Sequence, residues 1–295
     1  MSKNIVIASV EHADNQVVFI NDNFTKKYSK MCLGHEIHMT RCIIIDMLVQ
    51  QRISRDDIIV TLKDRKFLYD SIFNNVITSE EFFCMNTTGY NIINLHLATG
   101  SDIPVNEESI IRHYGHKTLS HFYTEEFKTL LNSISYCDTF YSDTKDYVVI
   151  HHRYNYDLNI LLHTIDTINS KMDVNIVIFN NNTKFLKNNL TQYTNLIFVD
   201  NLQLYASYLN SSKCKLFISE WSGGGQLSHY CYDGKIMYYF NQYQDEHRIG
   251  LGNKLARESM ETNMYVNWDF KHTRNIDLVL YRTIIDVNNE ILQLE

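Results

Sequence analysis

The sequence predicts an α/β protein in which parallel strands alternate with amphipathic helices. Short runs of β-branched and other apolar residues are followed by segments with apolar residues at helical spacing, and this alternation is typical of βαβ units. Polar residues collect where the strands end, and three consecutive glycines, Gly223, Gly224 and Gly225, separate one strand from the next helix. With 295 residues, of which 44% are hydrophobic, the chain is long enough for two such units.

The alternation is clearest in the second half of the chain. The predicted strands cover residues 147–151, 174–179, 196–199, 215–219 and 235–240. The predicted helices cover residues 157–171, 183–190, 202–209 and 226–232. Strands separated by helices in this rhythm form parallel sheets, and such sheets bind ligands at the carboxyl ends of their strands.

The first half is less regular and is predicted as a second Rossmann-like unit. Strands are expected at residues 4–8, 17–20 and 58–62, and a turn at 32–36 leads into a helix over 37–51. A loop or short helix is expected at 67–76, and further elements follow at 81–85, 92–96 and 124–133. The boundary is expected at Ser142 to Asp146, so that the first unit covers residues 1–144 and the second covers 145–274.

The last segment, 275–295, has a helical pattern that includes Ile276, Leu280, Ile284 and Ile291. This pattern predicts a helix that packs back on the first unit.

Charge and cysteine content exclude some classes of function. The formal net charge is −7 and no Lys/Arg cluster stands out, which argues against a nucleic-acid partner because phosphate backbones are bound by clustered cations. The six cysteines form no C-x-x-C pair and match no common zinc spacing, which predicts buried thiols in a reducing compartment. The sequence shows neither a secretory signal nor an apolar run that could cross a bilayer, so a cytoplasmic location without a transmembrane segment is expected.

The triple glycine follows the strand 215–219 and precedes a helix start. Glycine lacks a Cβ, so its backbone can turn sharply and present amide groups to a ligand, and the start of a helix favours an anion. The candidate phosphate-binding residues are Ser222, Gly223, Gly224, Gly225 and Gln226. The alternative is a tight strand-to-helix turn that binds no ligand.

Other candidate ligand-binding residues end the neighbouring strands: His151, Asn180, Asp200 and Glu220. Consecutive residues of an extended segment point to opposite faces, so His151 and His152 are not expected to share a metal ion, and contact of one of them with a phosphate or ribose is favoured. Glu220 either binds ribose hydroxyls or caps the neighbouring backbone. Arg153 is the candidate to hold a diphosphate at two points and to stabilise the charge of a leaving group, with a salt-bridging loop arginine as the alternative.

In the first half, Gly34, His35 and Glu36 form a turn before a helix and are candidate contacts for an acceptor, or alternatively a purely structural turn. Asp70 is a polar residue in an apolar segment and is the candidate general base, with a helix cap as the alternative. Asp64 and Glu36 are the next candidates for the base.

The segments Ile150–Arg153 and Ser219–Gln226, placed in two Rossmann-like halves, resemble glycosyltransferases of the GT-B type. The Asn-, Ile- and Tyr-rich composition and the segment Phe67–Phe73 are similar to the capsid-glycan glycosyltransferases of large DNA viruses, such as chlorovirus-like xylosyltransferases. The resemblance covers the whole chain in architecture and the second half in motif. It implies two Rossmann-like domains facing each other across a cleft, and an enzyme of viral or surface glycan synthesis in the host cytoplasm.

The resemblance also implies the substrates and the chemistry. A UDP- or GDP-sugar donor would bind the second half, and a glycan or glycoprotein acceptor would bind the first, without a further cofactor. In an inverting reaction Asp70 would deprotonate the acceptor hydroxyl and Arg153 would hold the leaving diphosphate, while Lys213, Lys215 and Arg248 are unranked candidates for a second basic group. The chain has no Asp-x-Asp pair, which favours a route without a metal ion, and a retaining reaction stays open.

Two other classes of function stay open at this stage. A methyltransferase dependent on S-adenosylmethionine (SAM) or a nicotinamide enzyme normally carries its glycines in the first βα turn, whereas here they follow the fourth strand of the unit. A non-catalytic nucleotide-binding or assembly protein would keep the fold without a competent base.

Overall fold

A computed structural model describes residues 3–11, 17–19, 25–27, 33–96, 124–137, 145–152, 158–180, 182–220, 222–239, 274, 276–281 and 283–294. The described residues up to Ser135 form one compact unit, and those from Tyr136 onward form a second. Each unit contains a parallel β-sheet with helices, so the mixed α/β class predicted from the sequence is confirmed.

The first unit contains a four-stranded parallel sheet. Its strands are β1 (Asn4–Ile7), β4 (Ile58–Thr61), β5 (Asn75–Thr78) and β6 (Asn91–Asn94), in the spatial order β5-β4-β1-β6. The central strand β1 contributes Ile5 and Ile7 to a core with Val60 and Phe82, and these four side chains are buried. A separate antiparallel pair consists of β2 (Val17–Phe19) and β3 (Thr25–Lys27).

The helices of the first unit are α1 (Leu33–His35), α2 (Arg41–Val49), α3 (Ser79–Phe83) and α4 (Glu125–Asn132), with a π-helical turn (Glu36–Thr40) between α1 and α2 and a 3₁₀-helix (Lys63–Leu68) after β4. The helical segment predicted at 37–51 begins earlier, at Leu33, whereas the helix predicted at 124–133 lies within its predicted bounds. The loop or short helix expected at 67–76 ends earlier than predicted, because its last two residues belong to β5. The sequence Asn75–Thr78 is short and half polar, so it did not indicate a strand. A capping box of Thr78 and Glu81 starts α3 directly after that strand.

The second unit contains a six-stranded sheet in which all neighbouring strands are parallel. Its strands are β7 (Tyr147–His151), β8 (Asn175–Phe179), β9 (Leu196–Val199), β10 (Cys214–Glu220), β11 (Gly234–Tyr239) and β12 (Ile276–Tyr281). Its helices are α5 (Leu158–Lys171), α6 (Thr183–Asn189), α7 (Leu202–Leu209), α8 (Gly223–Gln226), α9 (Ser228–Cys231) and α10 (Ile284–Gln293). The spatial order of the strands is β9-β8-β7-β10-β11-β12, the order of a doubly wound nucleotide-binding sheet.

Helices cover both faces of this sheet. On one face, Ile150 and Ile218 pack with residues of α5, α6 and α10 in one apolar cluster. On the other face, Tyr205 of α7 stacks on Phe179 with ring centroids 4.2 Å apart, and Tyr238 hydrogen-bonds to Ser228 and His229 of α9. Because both faces are buried, the strands carry nearly continuous apolar runs, and this explains why the sequence predicts them well.

The C-terminal segment corrects one expectation. Residues 276–281 form β12, which pairs along the whole of β11, instead of the first part of a helix. Val287 and Ile291 of α10 are buried in the apolar cluster of the second unit, and the segment belongs to that unit. None of the described helices combines the length and the apolar character needed to span a membrane.

Candidate functional site

The direction of strand addition in the second sheet reverses between β7 and β10. From β7 the chain adds β8 and β9 on one side, and then adds β10, β11 and β12 on the other. The helix that follows β7 lies on one face and the helices that follow β10 lie on the opposite face. In doubly wound sheets such a reversal places a crevice at the carboxyl ends of the two strands. His151 ends β7, and Ser219 lies beside it in β10.

His151 lies in the interior at this crevice and has polar partners. Its side chain is buried, and its Nδ1 atom lies 3.0 Å from Ser219 Oγ and 3.3 Å from Ser222 Oγ. Its ring stacks on Phe179, with centroids 5.5 Å apart. The contacts described for His151 are thus with the protein, and its predicted contact with a ligand stays a prediction.

The glycine turn is fitted closely to these side chains. A Cβ on Gly224 would lie 2.6 Å from His151 Nε2, and a Cβ on Gly225 would lie 2.4 Å from Ser219 Oγ. Both distances are too short for real atoms, so packing against β7 and β10 requires glycine at these two positions. The side of the turn that faces β7 and β10 is closed by this packing, and α8, with four residues, offers little helix dipole.

Three side chains hold the carbonyl groups of this turn in place. Tyr205 donates to the carbonyl of Gly224 at 3.2 Å, while Tyr238 and Ser228 each donate to that of Gly225 at 2.8 Å. The partner of the Tyr205 hydroxyl group lies on a different element and could not be predicted from the sequence. The turn is therefore a preorganised part of the crevice.

Ser222 is the predicted site residue that remains accessible at this turn. It is half-buried, and its backbone is extended, with φ −161° and ψ 165°. Its Oγ atom accepts a hydrogen bond from the amide of Gly225 at 3.4 Å. Gly223 is also half-buried. Gln226 is buried, and its backbone N–H donates to the backbone carbonyl of Ser222.

The residues that end β8 and β9 differ in accessibility. Asn180 is buried, its Nδ2 donates to the carbonyl of His152, and its Oδ1 accepts from the amide of Asn182. Both ends of its side-chain amide hold the turn, and its predicted contact with a donor substrate stays a prediction. Asp200 is exposed and accepts a hydrogen bond from Thr183 at 3.2 Å, so its carboxylate can still contact a ligand.

Glu220 and His152 are buried near the same strand ends. Glu220 is only 4% exposed, and its carbonyl accepts a hydrogen bond from Ser219 Oγ at 2.7 Å. Burial lowers the pKa of His152 to about 4, so this imidazole is neutral at physiological pH. Arg153, the predicted leaving-group clamp, lies outside the described residues, as does Arg248.

In the first unit, Glu36 has an interior role. Its carboxylate is inaccessible to solvent and accepts hydrogen bonds from Thr61 at 2.5 Å, Arg65 at 2.5 Å and Tyr69 at 3.3 Å. Three donors thus surround the carboxylate, and its predicted contact with an acceptor stays a prediction. Gly34 is also buried, and His35 belongs to α1.

Asp70 lies in the turn after the 3₁₀-helix and is exposed, as a residue that meets a substrate must be. Partial burial raises the pKa of its carboxyl group, and the charge of Lys66 opposes that shift. The preceding residues are held by Arg41, whose buried guanidinium donates to the carbonyls of Leu68 and Leu131 at 2.9 and 2.5 Å. Arg41 was not singled out by the sequence, because an arginine within a helix carries no sign that it is buried.

Within the described residues, no group of three or more His, Cys, Asp or Glu side chains is arranged to hold a metal ion. Compared with models of protein families, with curated proteins and with solved structures, the chain gives no match.

Proposed function

We propose that this protein is a glycosyltransferase that moves a sugar from a nucleoside-diphosphate sugar to a hydroxyl group of a glycan. The observation that carries the proposal is the crevice between β7 and β10, at the point where the strand order reverses. Nucleotides bind doubly wound sheets at this place, because the connections on its two sides leave to opposite faces and expose the strand ends.

The groups that line this crevice suit a diphosphate better than a hydrocarbon. Ser222 and Gly223 are half-buried at the end of β10, and the exposed Asp200 ends β9, two strands from β7 in the same sheet. In this proposal the hydroxyl and the amides bind the phosphate oxygens, and Asp200 binds hydroxyl groups of the ribose or the sugar.

The alternative of a nicotinamide or SAM-dependent enzyme is less well supported. In those enzymes a glycine-rich turn follows the first strand, but here β7 is followed by His152 and Arg153. In the dinucleotide-binding enzymes, the second strand ends in an acidic residue that hydrogen-bonds to the ribose. Here the residue at that position is Asn180, whose amide is used in the turn.

The proposed chemistry divides between the two units. The second unit binds the donor, with Arg153 stabilising the charge on the leaving diphosphate, and the first unit supplies Asp70 as the base that deprotonates the acceptor. We propose an inverting reaction without a metal ion, since the sequence has no Asp-x-Asp pair to hold one on the diphosphate.

Thermal unfolding with UDP, GDP, SAM and NAD tests the proposal. A nucleoside diphosphate at 100 times its dissociation constant stabilises the folded state by about 2.7 kcal/mol, so a raised midpoint is expected with UDP or GDP only. A screen of UDP- and GDP-sugars for hydrolysis then identifies the donor. Stabilisation by SAM or NAD alone, or by none of the four, contradicts the proposal.

A further inference from the structure

The hydrogen atoms around His151 can be assigned from the distances between heavy atoms. Ser219 Oγ lies 2.7 Å from the carbonyl oxygen of Glu220, and two oxygens this close need a hydrogen between them. Only the hydroxyl of Ser219 can supply that hydrogen, so it is not available for His151 Nδ1, which lies 3.0 Å away. The Nδ1 atom of His151 therefore carries a hydrogen and donates it.

This assignment fixes the role of Ser222. Its Oγ atom lies 3.3 Å from the same Nδ1–H group and 3.4 Å from the amide of Gly225, and both of these groups are donors. A hydroxyl oxygen has two lone pairs and one hydrogen, so both lone pairs of Ser222 Oγ face donors. Among the described residues none accepts the hydrogen of Ser222, and this residue is half-buried, so its hydroxyl can donate this hydrogen to a ligand.

The same assignment excludes another role for the pair. A serine between a strand and a helix, next to a histidine, is the arrangement of a catalytic nucleophile and its base. Here the nitrogen that faces Ser222 already carries a hydrogen, so it cannot take the serine proton. The extended backbone of Ser222 also differs from the strained turn that presents such a nucleophile.

We propose that His151 is a positioning residue that fixes Ser222 as a pure hydrogen-bond donor, and that this donor makes the crevice between β7 and β10 select a ligand with a charged, unprotonated oxygen. In the function proposed above, on which this inference rests, that oxygen belongs to the diphosphate. Hydrogen bonds to charged acceptors are about twice as strong as neutral ones, so the donor distinguishes an oxyanion from a neutral group.

The chain offers a matched pair of variants at His151. The amide nitrogen of asparagine takes the position of Nδ1, whereas that of glutamine reaches the position of Nε2, and both substitutions remove the ring that stacks on Phe179. Calorimetric titration measures the binding of five probes: UDP, GDP, inorganic pyrophosphate, uridine and guanosine. It is carried out on the wild type and on four variants: His151→Asn, His151→Gln, Ser222→Ala and the double variant His151→Gln/Ser222→Ala.

We expect Ser222→Ala to bind the preferred nucleoside diphosphate and pyrophosphate about tenfold or more weakly, with the affinity for the nucleoside unchanged. His151→Gln should show the same selective loss, and His151→Asn should stay within about threefold of the wild type. The double variant should bind no more weakly than Ser222→Ala, because both changes act through one hydroxyl. If His151 had only a structural role, its substitutions would alter thermal stability but would not selectively weaken the binding of the diphosphate and pyrophosphate.

Three results overturn the inference while leaving the proposed function intact: unchanged binding of pyrophosphate to Ser222→Ala, equal losses in His151→Asn and His151→Gln, or additive losses in the double variant. If the wild type binds none of the five probes, both the proposed function and this inference are wrong.

Discussion

Glu36 and Arg65 form an ion pair in which neither side chain has appreciable access to solvent, with 0% and 3% of their surfaces exposed. Removing one partner leaves a buried charge uncompensated, so Glu36→Ala should lower the free energy of unfolding by about 3–5 kcal/mol. Urea unfolding measures the loss. Asp173→Ala, which breaks the pair of an exposed aspartate with Lys145, should change stability by less than about 1 kcal/mol. Equal effects of the two substitutions would show that burial does not determine the strength of the first pair.

Gly224→Ala tests whether the glycine turn is shaped by packing. The new Cβ would lie 2.6 Å from His151 Nε2, so we expect a loss of about 1–3 kcal/mol of stability in thermal or urea unfolding. In a His151→Ala background the same substitution should cost clearly less, because the clashing atom is absent. An unchanged cost in that background would locate the strain elsewhere.

Asp70→Asn should abolish sugar transfer, with a loss of about 10²–10⁴-fold in rate, and should leave the affinity for the nucleoside diphosphate unchanged. A base must be ionised, and partial burial raises the pKa of Asp70, so kcat/KM with the identified donor should rise with pH as this carboxyl loses its proton. Lys66→Met removes a charge that lowers this pKa and should move the rising limb to higher pH. Loss of nucleotide binding in Asp70→Asn would indicate a structural role instead.

Asp57 should stabilise the first unit in a pH-dependent way. Burial works to raise the pKa of Asp57, but hydrogen bonds from Asn4 and Ser54 outweigh it and lower the pKa below 3.8. The folded-state pKa is thus depressed, so the contribution is present above about pH 4 and is lost as the pH falls through the folded pKa.

At neutral pH, Asp57→Asn should therefore cost about 1–3 kcal/mol in urea unfolding, because an amide donor replaces an acceptor. The difference from wild type should shrink near pH 3. Asp56→Asn, at an exposed neighbouring position, is the control and should have little effect at either pH. If the difference in the free energy of unfolding between Asp57→Asn and the wild type were constant with pH, the ionised carboxylate of Asp57 would not be the stabilising group.

The fold of the second unit could be predicted because its strands are buried on both faces. The strand predicted at 147–151 and the helix predicted at 202–209 agree with β7 and α7 in both bounds. The prediction of a helix at β12 was wrong. Ile276 and Leu280 have helical spacing, but the backbone of this segment pairs with β11. In the first unit β5 was missed, because a short edge strand with polar residues gives little periodicity.

The sequence predicted which elements lie together at the candidate site but did not predict the contacts of their side chains. The glycine turn and the ends of β7 and β10 are adjacent, as a parallel sheet requires. Which residues meet a ligand and which meet each other depends on side-chain direction at a strand end, and the sequence does not encode this locally. His151 and Asn180 therefore have interior partners, and the anchoring role of Tyr238 emerged only from the structure.

The pairing of β12 along β11, together with the burial of α10 against the same sheet, has a consequence for synthesis on the ribosome. The growing chain cannot close the apolar cluster of the second unit until residue 291 has left the exit tunnel, so β11 lacks its neighbour β12 from its own emergence until the end of translation. Nascent chains halted before residue 276 should be sensitive to proteases across this unit, and those extended beyond 294 by a linker should be resistant.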